Sequence, residues 1–210
     1  MSKTALSTAE VVEMLNLVAD RIIEAEPMLS EADRNLGDGD HGLGMKRGME
    51  AVKEKLAGGA ESIEKAFSNT GMAMMSSMGG ASGAIFGTLW RSGGKALAGR
   101  ETFDAQALAD LVKAGVDGVM ARGGAKPGDK TMIDALYPAA EKAAEVAGSS
   151  LPEAITAVAA AATAGKEASK AMIATMGRAK TLGEQSIGHP DAGACSVVVI
   201  FDAMKEYICS

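Results

Sequence analysis

The residues best able to do chemistry lie between positions 33 and 42, Asp33-Arg34-Asn35-Leu36-Gly37-Asp38-Gly39-Asp40-His41-Gly42. Asp33, Asp38 and Asp40 place three carboxylates within eight residues, next to one of the chain's two histidines. Like charges this close raise one another's pKa unless a cation shares them. An oxygen-only set suits Mg²⁺ or Ca²⁺ better than Zn²⁺, which favours Cys and His. Glycines at 37, 39 and 42 are expected to free the backbone to bend so that the carboxylates converge. An EF-hand is excluded: counted from Asp38, Leu43 falls where the turn glycine belongs and Met49 where the bidentate Glu belongs. Mg²⁺ held by a few carboxylates commonly completes its shell with water and substrate phosphates, so the metal reading points towards a nucleotide. A polar Gly-rich turn with solvated aspartates is the plainer alternative.

Three further loops carry similar residue types. Gly79-Gly80-Ala81-Ser82-Gly83 precedes a helical pattern, so its amides could cradle a phosphate. Gly123-Gly124-Ala125-Lys126-Pro127-Gly128-Asp129-Lys130-Thr131 ends like a P-loop, but Asp129 separates Gly from Lys and the preceding segment reads as helix. It is therefore not a Walker A motif. The last loop, 177–193, holds Arg178, Lys180, Glu184, His189 and Asp191. Arg178 there suits phosphate charge, because a guanidinium fork matches phosphate oxygens; a solvated surface Arg fits equally well. His41 and His189 are either catalytic or simply hydrogen-bonded to loop backbone. No Gly-x-Ser-x-Gly elbow and no strand-borne GxGxxG occurs, which removes serine hydrolase and Rossmann chemistry.

The elements that must position these loops read as helices. Ser7-Thr8-Ala9-Glu10 is a capping box, followed by Val11, Leu15, Val18 and Ile22 at helical spacing, with Pro27 near the end. A second pattern runs through Met45, Met49 and Val52 to Leu56, where Gly58-Gly59 stops it. Others span about 63–78, 84–97 and, behind the N-cap Asp104, the stretch with Leu108, Leu111, Val112, Val116 and Val119. Two more cover about 132–147 and, after the capping box Ser150-Leu151-Pro152-Glu153, about 150–176. Val197-Val198-Val199-Ile200-Phe201 locally resembles a buried strand, but with no partner strand elsewhere, 194–207 is expected as the last core helix. This predicts an all-α bundle or barrel of about eight antiparallel helices in one domain, 1–210. Antiparallel succession gathers all four polar loops at one end, the expected site.

Composition agrees. Hydrophobic residues make up 47% of the chain but aromatics only 3%, which suits close-packed helices better than a β-sandwich. A net charge of −6 argues against nucleic acid as the main partner. Cys195 and Cys209 lie in no metal spacing and are expected as free thiols. No signal peptide and no membrane-length apolar run is visible, so a cytoplasmic protein is expected.

Taken together, Gly37-Asp38-Gly39-Asp40-His41-Gly42, the run 79–83, Arg122-Gly123 through Pro127-Gly128-Asp129-Lys130-Thr131-Met132, and Gly183-Glu184-Gln185-Ser186-Ile187-Gly188-His189 with Asp191-Ala192-Gly193 resemble the nucleotide-binding L subunits of dihydroxyacetone kinases, in order and over essentially the whole chain. The resemblance implies eight antiparallel helices with ADP or ATP at one end. It implies that Asp33, Asp38 and Asp40 hold two Mg²⁺ ions. His41, Gly42, Leu43, Gly44, Ala81, Ser82, Gly123, Met132, Arg178, Asp191, Ala192 and Gly193 would then surround the nucleotide. The family often has Asn in place of Gly44 and Pro in place of Ala192. It further implies a separate sugar-binding K subunit that holds dihydroxyacetone, and recharging by a phosphohistidine protein of the phosphotransferase system. Two alternatives are an ATP-consuming two-subunit ketose kinase, for example for erythrulose, and a nucleotide-state sensor docking on a transcriptional regulator. No protein nucleophile is required, since phosphoryl transfer rests on positioning and charge neutralisation.

Overall fold

The structure, a computed structural model, describes residues 3–210. Among these it contains nine α-helices: α1 Thr8–Glu24, α2 Glu26–Arg34, α3 His41–Leu56, α4 Ile63–Ser77, α5 Gly80–Lys95, α6 Ala105–Gly123, α7 Ile133–Glu145, α8 Leu151–Ser169 and α9 Ala192–Cys209. Two 3₁₀ turns, Arg178–Thr181 and Gly183–Ser186, lie between α8 and α9. The only extended pairing described is one antiparallel bridge, Leu6 with Phe103.

Eight of the helices close a ring. α1 packs on α3, each helix from α3 to α8 packs on the next in sequence, and α9 returns to α1. α2 rests on α3 and α9 without joining the ring. The all-α barrel of about eight helices is therefore found, with α2 as an addition. It arises because the first helix breaks at Ala25 and Pro27 opens a new one. Pro is tolerated in a first helical turn, where its missing N–H has no partner to lose. The ring interior is filled by aliphatic, Met and Ala side chains, with Phe67, Phe86 and Phe103 fully buried among them. Most of the Met-rich pattern of α3 and α4 packs inward: Met45, Met49 and Met74 are completely buried and Met75 is half-buried, whereas Met72 is exposed.

Two other boundaries differ from expectation. Residues 80–83 belong to α5, whose N-cap is Gly79 at φ +72°. The glycines of α5 serve close packing on α4: a Cβ at Gly87 would sit 2.8 Å from the Gly71 carbonyl oxygen. α8 ends at Ser169 rather than near Met176, although Lys-Ala-Met-Ile-Ala favours helix. The Lys130 ammonium takes the carbonyls of Ser169, Lys170 and Met172, and the chain turns away there. The Val-rich segment is helical as expected: Asp191 caps α9, its Oδ2 accepting the Ala194 N–H at 2.8 Å.

Candidate functional site

The loops after α2, α4, α6 and α8 converge at one end of the ring around a cleft of 490 Å³. All four polar loops read from the sequence contribute to its wall. The first supplies the acid. Asp33 sits on the last turn of α2, Asp38 and Asp40 lie on the following turn, and carboxylate oxygens of all three lie within 4.8 Å of one another. The three glycines act in two ways. Gly39 has φ +77° and provides the bend. Gly37 and Gly42 allow close approach instead: a Cβ would lie 2.7 Å from Asp33 Oδ1 at the first and 2.3 Å from the Glu26 carbonyl oxygen at the second. Asp33 Oδ2 also accepts the His41 N–H at 3.2 Å, tying the carboxylate set to the start of α3. A hard, partly exposed, three-carboxylate set of this kind fits a divalent cation such as Mg²⁺.

Opposing charge comes from Arg178. Its guanidinium pairs with Asp38 across the cleft, so the strap after α8 reaches the carboxylate cluster. Arg47 is directed to the Met78 carbonyl at 3.2 Å and lines the same wall. The helix starts matter as much as the side chains. α3 and α5 both begin at the cleft, and neither has a side-chain N-cap. Apart from the His41 N–H, which Asp33 takes, their first-turn amides therefore have no intrahelical acceptor and face the end at which an anion would bind. α7 and α9 start at the same end but are closed. The Ile133 N–H bonds to Thr131 Oγ1 at 3.2 Å, and Asp191 caps α9.

Asp191 lines the cleft at the base of α9. Burial pushes its carboxyl up to about 6, against the opposing N–H bonds from Ala194 and Gly193. His41 is 7% exposed; its Nε2 lies 2.8 Å from Ser196 Oγ and its ring 5.9 Å from Phe86. Ser196 Oγ donates to the Ala192 carbonyl at 3.2 Å, which assigns Nε2–H as the donor to Ser196. Burial holds the imidazole below its ordinary pKa, with the Asp33 charge pulling the other way. The side chain of His41 thus anchors α3 on α9, and its partner is a hydroxyl rather than loop backbone. His189 is half-buried and does not line the cleft.

Of the expected site residues, the structure brings the three aspartates, His41 and Gly44 together on one wall. Ala81, Ser82, Arg178, Asp191 and Ala192 complete the cleft. The others stand off it. Gly42 is buried beneath α2, and Leu43 is 53% exposed with only its first-turn amide turned to this end. Gly123 closes α6. Met132 is buried behind Gly193, whose Cβ position lies 3.1 Å from Met132 Cβ. Arg47, Met78, Lys130, Thr131 and Met176 line the cleft without having been singled out as site residues. Arg47 was detectable in principle: it stands seven residues after Asp40 and three after Gly44, on the same helical face. Lys130 and Met176 owe their places to loop tertiary structure.

Comparison with known proteins bears directly on this arrangement. The DAK2 domain matches residues 35–206. The chain belongs to the DAK2 domain family. That match spans all four loops, with Asp33 just ahead of it. The chain is 38% identical over 203 residues to the "PEP-dependent dihydroxyacetone kinase, ADP-binding subunit DhaL" of Escherichia coli K12, covering 95% of this chain and 97% of that one. It is 36% identical to the L-erythrulose kinase of Pectobacterium atrosepticum, covering 94% of this chain but 34% of that one. Among solved structures it resembles the dihydroxyacetone kinase of C. freundii in complex with AMP-PNP and Mg²⁺, with a TM-score of 0.74 and 26% identity. That likeness covers 96% of this chain and 34% of the other, so this DAK2 chain spans about a third of that kinase.

Proposed function

We propose that this chain is the ADP- or ATP-binding subunit of a dihydroxyacetone (ketose) kinase. It would be a single L-type domain, 1–210, that works in the cytoplasm with a separate K subunit holding the sugar. The observation that carries the reading is the composite cleft: three convergent carboxylates and Arg178 beside two uncapped helix starts, in a chain that matches an ADP-binding kinase subunit end to end.

Asp33, Asp38 and Asp40 would hold Mg²⁺, two ions in the fullest form, and Mg²⁺ when bound supplies neutralisation of the phosphate charge. The chain's own residues do the rest. Open amides of α3 (Gly42, Leu43) and of α5 (Ala81, Ser82) donate to phosphate oxygens, while Gly44, whose N–H already bonds the Asp40 carbonyl at 3.0 Å, leaves room on the cleft wall for them to approach. Arg178, already able to reach Asp38, forks onto the same phosphates. Asp191 and Ala192 shape the wall at α9 with Gly193 behind them, while Gly123 and Met132 set the nucleoside side from behind. No side chain need form a covalent intermediate, because positioning and charge carry phosphoryl transfer.

The donor is proposed to be a phosphohistidine protein of the phosphotransferase system, with ADP retained as a cofactor. Correspondence over 97% of an ADP-binding subunit of a PEP-dependent kinase favours this over the ATP-consuming reading, which the partial match to an erythrulose kinase supports. The test is to identify nucleotide that copurifies with the chain and follow its exchange against labelled ATP in Mg²⁺. Retained, slowly exchanging ADP is expected. Ready exchange with ATP would assign the chain to an ATP-consuming kinase, and no binding in either form would overturn the proposal.

A further inference from the structure

The structure assigns Lys130 a positioning role: its ammonium gathers the base of the 170–188 strap and so holds Arg178 over the cleft, without itself touching nucleotide. This rests on the nucleotide reading above. In a Gly-Asp-Lys-Thr run beside a phosphate-sized cleft, the lysine is the residue that would ordinarily be given to the phosphate. The geometry places it elsewhere. Lys130 Nζ donates to the carbonyls of Ser169 at 2.8 Å, Met172 at 3.0 Å and Lys170 at 3.4 Å. An ammonium has three N–H donors, so none remains for a phosphate oxygen. The acceptors lie at the C-terminal end of α8, where a cation is favoured by the helix dipole.

The surroundings over-determine this position. Lys130 is 1% exposed and is the one non-glycine residue with positive φ among those described, at +57°. Such a conformation persists only where neighbouring contacts hold it. Here Asp134, on the first turn of α7, does so: Oδ1 accepts the Gly128 N–H at 2.6 Å and Oδ2 the Thr131 N–H at 2.8 Å. A second tie lies one residue before the lysine. Thr175 donates its N–H to the Asp129 carbonyl at 3.2 Å and its hydroxyl to Asp129 Oδ1 at 2.6 Å. The far end of the strap returns to the same place, the Gly188 N–H bonding to the Lys170 carbonyl at 2.7 Å.

Residues 170–188 are therefore a loop drawn together at its base by Lys130 and Asp129, with Arg178 near its tip. The two 3₁₀ turns in it bury only Ser186, so apolar packing contributes little to holding them. The polar base must do that instead. Lys130 then governs how long a nucleotide stays, through Arg178.

Dissociation of labelled ADP from the full chain in Mg²⁺ tests this, in Lys130→Met, Arg178→Ala, the double variant and Thr175→Val. Lys130→Met is expected to speed dissociation about tenfold in the unaltered background and less than about twofold when Arg178 is already Ala, the mark of two residues acting as one unit. Thr175→Val, an exposed site that leaves the fold intact, should speed it about threefold through loss of one hydrogen bond. Hydrogen exchange of the nucleotide-free chain should rise over 170–188 in Lys130→Met and Thr175→Val. Independent, multiplicative losses in the double variant would mean that the ammonium touches nucleotide and would overturn the inference. Unchanged dissociation and exchange in Thr175→Val would overturn it equally, even if Lys130→Met does not fold. Failure of the unaltered chain to bind ADP would overturn the nucleotide reading instead, and the exchange measurement would still report on the strap.

Discussion

The two ends of the helix ring are built on opposite rules. At the end away from the cleft, α1, α4, α6 and α8 begin, and every one has a side-chain cap: Ser7, Ser62, Asp104 and Ser150. Ser7 and Ser150 form full capping boxes with Glu10 and Glu153. The Leu6–Phe103 bridge closes this end, and the Phe103 ring lies tilted against Phe67 beneath it, 5.5 Å between centroids. At the cleft end, α5 begins bare and α3 has only the Asp33 bond to its first amide, three like charges converge, and a strap with almost no buried residue covers the opening. One end satisfies its own backbone and the other leaves donors and charge for something else to satisfy. Bare helix starts, crowded carboxylates and a thinly packed strap cost stability in the free chain, and bound anion and cation offset that cost.

Substitutions at each end should separate these two roles. The largest effect is expected from Phe103→Ala, which empties a completely buried site at the closed end. It should lower the unfolding free energy by about 3–5 kcal/mol in chemical denaturation. Mg-nucleotide affinity of the folded fraction should stay unchanged. Asp40→Ala reverses that pattern: Mg²⁺-dependent ADP binding should fall by about 100-fold or more in calorimetry, roughly 3 kcal/mol. The metal-free variant should unfold at the same or a higher temperature, because one of three repelling charges has gone. Tight Mg-ADP binding retained by Asp40→Ala would break the comparison. Ser150→Ala should cost about 1 kcal/mol of stability by removing one cap, again with no change in binding.

The smallest effect concerns pH. Burial lowers the pKa of His41 below 6.5, so the unfolded chain takes up the proton first on acidification. Its contribution to stability is complete above 6.5 and is lost as pH falls towards the lowered folded value. The stability difference between the unaltered chain and His41→Asn should therefore shrink as pH drops from 7 to 5, measured by denaturation at each pH. A difference that stays constant would mean the imidazole does not remain neutral in the fold.

How much of this was legible in the residues differs between the two ends in the same way. The closed end is written in local patterns: capping boxes, apolar stripes and stop glycines all act within a few residues, and the helices they mark are present. The acidic loop was legible for a similar reason, since Asp33, Asp38 and Asp40 are close in sequence. What local reading misplaced depends on distant chain. The glycines of 79–83 looked like a break because nothing local shows that α5 must approach α4 at van der Waals distance. α8 looked longer because its alanines favour helix, whereas an ammonium 39 residues earlier in the chain ends it.

By itself, then, the amino-acid sequence determined the helical class, the order of the elements, and the set of four polar loops whose residue types suit metal and phosphate. Helix periodicity and capping are short-range, so they can be read one segment at a time. Only the tertiary structure decided that the Lys130 ammonium at the cleft wall is taken up by carbonyls, that His41 bonds Ser196, and that Arg178 reaches Asp38. Each of those partners is between 39 and 155 residues away, and a side chain with three donors or a ring with two nitrogens carries no record in its own neighbourhood of which distant acceptor the closed ring will bring to it.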